Sequence, residues 1–148
     1  MPIWVYPMIK VAGFLVLTLG PTLPVQASPF DIVWQEFKQR CLERFEDFQT
    51  PLVDDLSPVS GREGAFQLPK GALLVLSGSD DLGTRSCAVQ GVGLMPGFEQ
   101  WVTQAQQSGL YRESETPGQW LSHEWIEPRI LIEKTDGAIR VVETDLEA

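Results

Sequence analysis

Residues 129–144 read RILIEKTDGAIRVVET, and this stretch decides the fold. Two runs rich in Ile and Val flank Asp136-Gly137, a dipeptide that tolerates the left-handed backbone of a two-residue hairpin turn. With Thr135 opposite Ala138, Glu133 faces Arg140, Ile132 faces Val141 and Leu131 faces Val142. Opposite charges and apolar groups thus meet across the ladder, each such pair contributing about 0.2–1 kcal/mol. Arg129 to Lys134 and Ala138 to Thr144 are therefore expected to be paired antiparallel strands.

The same reading extends toward the N-terminus. Leu110 to Glu113 and Gln119 to Glu127 flank a Thr116-Pro117-Gly118 turn and read as strands, as do Ala65 to Leu68, Ala72 to Leu76 and Arg85 to Gln90. Ser77 to Thr84 is a hairpin loop, and Leu52 to Gly64 is a longer loop rich in Pro, Ser and Gly. Between the two groups of strands, Pro96 to Ser108 carries the apolar stripe Phe98, Trp101, Val102, Ala105 and ends at Gly109, a helix pattern with a C-terminal cap. Ser28-Pro29-Phe30-Asp31 has the form of a helix start, followed by Phe30, Trp34, Phe37, Cys41, Phe45 and Phe48 at spacings of three and four. That helix is expected to end near Gln49, because the residue before Pro51 is pushed out of the helical region. The expected fold is α+β: one antiparallel sheet of about six or seven strands covered by two helices, in an order compatible with an α-β-β-β pseudo-duplication. Parallel pairing is disfavoured, since the connections between strands are too short for crossovers.

Residues 1–27 read differently from the rest. Lys10 precedes a nine-residue apolar run, Val11 to Leu19, which Gly20, Pro21 and Pro24 terminate, and Val25-Gln26-Ala27 places small residues at the −3 and −1 positions of a cleavage site. The expectation is a secretory signal peptide cleaved after Ala27, followed by one α+β domain over 28–148, in the periplasm or secreted. The run is short for a bilayer core of roughly 30 Å, so no permanent membrane span is expected once the signal is removed. Export brings an oxidising compartment, where Cys41 and Cys87 have only one pairing and are expected to form a disulfide between the first helix and the sheet.

The 148 residues carry 20 acidic and 11 basic side chains, a formal charge of −9, so nucleic acid is excluded as an expected partner. His123 is the single histidine and the one candidate general base. On the strand Gln119 to Glu127 it shares a face with Leu121 and Trp125, away from Ser122 and Glu124, so adjacency builds no triad. Asp80 and Asp81, like Asp54 and Asp55, are loop acids able to meet a hard cation, but neither pair has the spaced ligand pattern of a calcium loop. Gly91-x-Gly93-x-x-x-Gly97 fits neither dinucleotide nor Walker loops, and Gly78-Ser79 lacks the flanks of a nucleophile elbow, so no cofactor is expected. Trp120 and Trp125 point to opposite faces of one strand and are candidate binding residues, one on each side of the sheet.

The layout of apolar leader, helix with a central Cys, second Cys in a following strand and C-terminal Asp-Gly hairpin resembles small exported bacterial proteins of unknown function. The resemblance implies export and transfers no activity or site residue. The functional expectation is an exported, non-enzymatic accessory or binding module for a protein partner or another component of the cell envelope. The alternatives are a small hydrolase or lyase using His123 as base, and a secreted inhibitor presenting the Ser77 to Thr84 loop.

Overall fold

The structure is a computed structural model that describes residues 31–78, 85–123 and 129–144. Residues 1–27, the Ser79 to Thr84 part of the predicted loop with Asp80 and Asp81, and Trp125 lie outside the described residues.

An N-terminal helical run comprises α1 (Asp31–Phe37), a π-helical turn (Lys38–Leu42) and α2 (Glu43–Glu46). Strands β1 (Ala65–Gln67), β2 (Leu73–Ser77) and β3 (Ser86–Gln90) follow, then α3 (Leu94–Ser108). Strands β4 (Tyr111–Glu113), β5 (Gln119–Ser122), β6 (Arg129–Thr135) and β7 (Ala138–Thr144) complete one antiparallel sheet in the order β1-β2-β3-β7-β6-β5-β4. This is the α+β architecture anticipated, with two antiparallel meanders, each preceded by helix, meeting through their last strands. The β6–β7 register matches residue for residue, with Glu133 opposite Arg140 and Ile132 opposite Val141. Arg140 and Glu133 also form an ion pair across the ladder.

One face of the sheet carries Leu74, Val89, Ile139, Val141, Ile132 and Trp120, and all of these belong to the same buried cluster as Val33, Trp34, Phe37 and Phe98 from the helices. Alternation along strands explains the sorting: every second residue meets the helices, while Gln90 and Arg140 on the opposite face stay exposed.

The first helix departs from a regular α-helix for a reason visible in its stripe. Phe37, Cys41 and Phe45 are spaced four apart, and in 3.6-residue turns each step drifts about 40° around the axis. The π turn corrects the drift: the Glu43 N–H donates to the Lys38 carbonyl, five residues back, and Phe37, Cys41 and Phe45 are all at most 1% exposed.

The run ends earlier than the sequence implies. Phe48 adopts φ 58°, its N–H donates to the Phe45 carbonyl (3.2 Å), and the Gln49 N–H donates to the Arg44 carbonyl (2.7 Å). This is a Schellman cap with phenylalanine at the position glycine usually takes. Phe48 thereby leaves the stripe and stands 62% exposed. At the other helix, α3 starts at Leu94, two residues before the expected Pro96. Proline is tolerated there because first-turn N–H groups have no intrahelical acceptor.

Candidate functional site

A groove of about 600 Å³ lies beside the end of the helical run. Five separated pieces of chain build it: Phe45 from α2, Thr50 to Asp54 from the following loop, Glu63 and Gly64 before β1, Leu76 to Gly78 at the end of β2, and Arg85 and Ser86 at the start of β3. Its apolar surface comes from Phe45, Pro51, Val53 and Leu76.

Each wall is held by a specific bond. The loop after α2 is tied back by Arg40, whose guanidinium donates to both carboxylate oxygens of Asp55 (2.7 and 2.9 Å) and to the Leu52 carbonyl (3.0 Å), and which also pairs with Glu36. Arg40 in turn holds the Asp55 carboxyl below the usual carboxylate range. The Leu76 N–H donates to the Gly64 carbonyl (2.8 Å), fixing the loop before β1 against β2. Gly64 is required there: its φ is +70°, and a Cβ would fall 2.6 Å from the Leu76 carbonyl oxygen.

At the mouth of β2 and β3 the Ser77 and Ser86 hydroxyls are hydrogen-bonded at 2.5 Å. Beside them Arg85 forms a two-point ion pair with Glu143 of β7, a carboxylate with no exposed surface, and lies 5.3 Å from the centre of the Phe45 ring. Charge and ring thus hold the guanidinium from two sides. Asp54 and Glu63 are different. Both are exposed, and neither has an ion pair among the described residues.

Phe48, two residues before Thr50, and Leu52, next to Pro51, are 62% and 41% exposed. Left-handed backbone costs a non-glycine residue about 1–2 kcal/mol, and such positions concentrate at functional sites. No sequence signal separates Phe48 from its helical neighbours, because spacing alone places it on the buried stripe.

The residues singled out from sequence distribute as follows. Cys41 and Cys87 form the disulfide, with Cα atoms 5.6 Å apart and both side chains fully buried. Trp120 lies on the helix-covered face, 7% exposed, with its ring edge-on to Phe98 at 5.1 Å. His123 follows the end of β5, its backbone N–H donating to the Leu110 carbonyl (2.8 Å), and it lines neither this groove nor a smaller one of about 240 Å³ between Trp34, Gln35, Lys38, Gln100, Trp101 and Gln104. Asp54 faces the main groove and Asp55 is engaged by Arg40. Among the described residues no group of three or more His, Cys, Asp or Glu side chains is placed to hold a metal ion, and no helix is long and apolar enough to cross a membrane.

No protein-family model matches this chain, and neither the curated proteins nor the solved structures contain a match to it. The functional reading therefore rests on the groove itself.

Proposed function

We propose that this chain is exported to the periplasm or beyond, is cleaved after Ala27, and acts there as a non-enzymatic binding module whose recognition surface is the groove around Phe45, Val53 and Leu76. The observation that carries this reading is Phe48: a large aromatic side chain held 62% exposed in a left-handed backbone, two residues before the groove-lining Thr50. A buried disulfide and the apolar run ahead of Val25-Gln26-Ala27 support the exported location. Among the described residues no comparable observation favours an enzyme using His123, and the Ser79 to Thr84 part of the loop an inhibitor would present lies outside them.

Two measurements test the two halves of the proposal. Intact mass of the protein recovered from its producing cells should correspond to a chain beginning at Ser28 with its two thiols oxidised; an uncleaved, cytoplasmic chain rejects export. A photo-crosslinking residue replacing Phe48 should give discrete adducts that the same residue replacing Gln107, an exposed position of α3 that lines neither groove, does not give. Equal labelling from both positions rejects the groove as the recognition surface.

A further inference from the structure

We propose that the groove receives a basic, partly apolar segment of another polypeptide, a Lys or Arg set between aliphatic neighbours. This rests on the reading of the groove as a recognition surface and adds the chemistry of what it recognises.

The groove is lined in part by apolar side chains. Half-buried Pro51, Val53 and Leu76 offer hydrocarbon surface beside the buried Phe45, and the exposed Phe48 and Leu52 lie in the same stretch of chain as Thr50, Pro51 and Val53. A concavity of about 600 Å³ is in the size range that encloses a ligand of several side chains.

The charged half is what remains after pairing. Arg85 is the one basic residue in the lining, and Glu143 neutralises it from within the sheet. Asp55 is taken by Arg40. Arg44 donates to the Thr50 carbonyl (2.9 Å) and Arg62 adjoins Glu63 in sequence, but neither lines the groove. Among the described residues the lining therefore presents two acids without an ion pair, Asp54 and Glu63, on a protein already carrying a formal charge of −9. Exposed acids beside half-buried apolar side chains repel acidic ligands and attract a cation whose flanks are apolar, and an exposed phenyl ring nearby in sequence, Phe48, is a further cation–π partner. A free polyamine would satisfy the acids, but its narrow methylene spacers cover less of the separated apolar side chains Pro51, Val53 and Leu76 than branched aliphatic side chains do, which is why a polypeptide segment is the occupant proposed.

The test uses three fluorescein-labelled pentapeptides: Leu-Lys-Val-Arg-Leu, its acidic counterpart Leu-Glu-Val-Asp-Leu, and the uncharged Leu-Gln-Val-Asn-Leu. Binding is read by anisotropy at low and physiological salt and mapped by backbone amide shifts on the disulfide-bonded protein. The basic peptide should bind at least about tenfold more tightly than the acidic one at low salt, more weakly as salt rises, and should shift groove amides. Asp54→Asn with Glu63→Gln, both exposed positions, should weaken it roughly 3- to 30-fold, the range expected for losing two surface charge contacts. Glu113→Gln with Glu115→Gln, which changes net charge equally but away from the groove, should weaken it less than about twofold. Equal affinity for basic and acidic peptides, no binding of the basic peptide, or an unchanged affinity in the Asp54→Asn, Glu63→Gln variant overturns the basic-segment proposal. If the uncharged or acidic peptide shifts the same groove amides, the recognition surface survives and only its charge preference falls. If no peptide touches the groove and crosslinking at Phe48 also fails, both readings fall.

Discussion

Gly97 of α3 and Trp34 of α1 approach so closely that a Cβ on the glycine would lie 2.6 Å from both Cβ and Cδ1 of Trp34. The contact sets how near the two helices pack, and through Trp34 it organises the aromatic cluster with Phe37, Phe98 and Trp101. Helix propensity alone says that Gly97→Ala stabilises α3 by about 1 kcal/mol. Overpacking opposes this by about 1–3 kcal/mol, and because the clash is with the base of a large ring, the steric effect wins. Gly97→Ala should therefore lower the thermal midpoint, and a midpoint equal to or above the parent's would show that the helices can separate without loss.

The Cys41–Cys87 bond fastens the π turn to β3, next to the central β3–β7 pair. Its sequence separation of 46 residues corresponds to about 4 kcal/mol of stabilisation in the chain-entropy model. Replacing both cysteines by Ala should lower unfolding free energy by about 2–5 kcal/mol in urea titrations. Cys41 also lies four residues before Phe45, and Cys87 two after Arg85. The variant should accordingly lose peptide binding at the groove at denaturant concentrations well below those that unfold the parent.

What the sequence disclosed was what local pattern can carry. The β6–β7 register was legible because turn chemistry, charge pairing and alternation all fall within sixteen residues, and the disulfide because two cysteines have only one possible pairing. The π turn was not, since a four-residue spacing of Phe37, Cys41 and Phe45 reads as an ordinary helical stripe until the backbone shows how the drift is absorbed. Phe48 was misplaced for a related reason: three residues after Phe45, periodicity assigns it to the core, and only the Schellman cap turns it outward. The groove itself had no local signal. It joins residues from five pieces of chain, and its one basic lining residue, Arg85, is paired with a carboxylate 58 positions away.

Phe48→Gly separates stability from recognition. Glycine accepts the left-handed cap without strain, so the variant should unfold at higher urea than the parent, by roughly 0.5–1 kcal/mol. It removes the exposed ring, so binding at the groove should weaken. A variant that is less stable would place Phe48 in the core energetics after all.

Arg85 and Glu143 should behave as a unit. Arg85→Met leaves a fully buried carboxylate without its counter-charge, which costs about 3–5 kcal/mol, whereas Arg85→Met with Glu143→Leu removes both charges and should recover most of that loss. The double-mutant cycle, read from urea denaturation, should therefore be strongly non-additive. Additive losses would mean that the carboxylate finds another partner.

Glu46 and Tyr111 join the end of the helical run to edge strand β4, the phenol donating to the carboxylate at 2.6 Å. Burial pushes the Glu46 carboxyl above its ordinary range, against the Tyr111 hydrogen bond, which acts to lower it. Burial, then the Glu46 charge and hydrogen bond, push the Tyr111 phenol well above its ordinary value of about 10. Both are acids whose protons the folded state holds more tightly than the unfolded chain does. Their contribution to stability is thus full below the unfolded pKa and declines as pH rises through the window above it. For Glu46 that window starts near the ordinary carboxylate value of about 4.3. Glu46→Gln has no such group, so its thermal midpoint should gain on the parent's as pH climbs from about 4 toward neutrality. Tyr6 and Tyr111 are the two tyrosines, so in a chain produced from Ser28 onward phenolate absorbance reports Tyr111 alone. In the parent it should stay silent past pH 10 until the chain unfolds. In Glu46→Gln its onset should move down, yet remain above that of a free tyrosine, because burial is the larger cause and persists. Onset at the free-tyrosine value in the folded parent would show that β4 is not closed over the helical run.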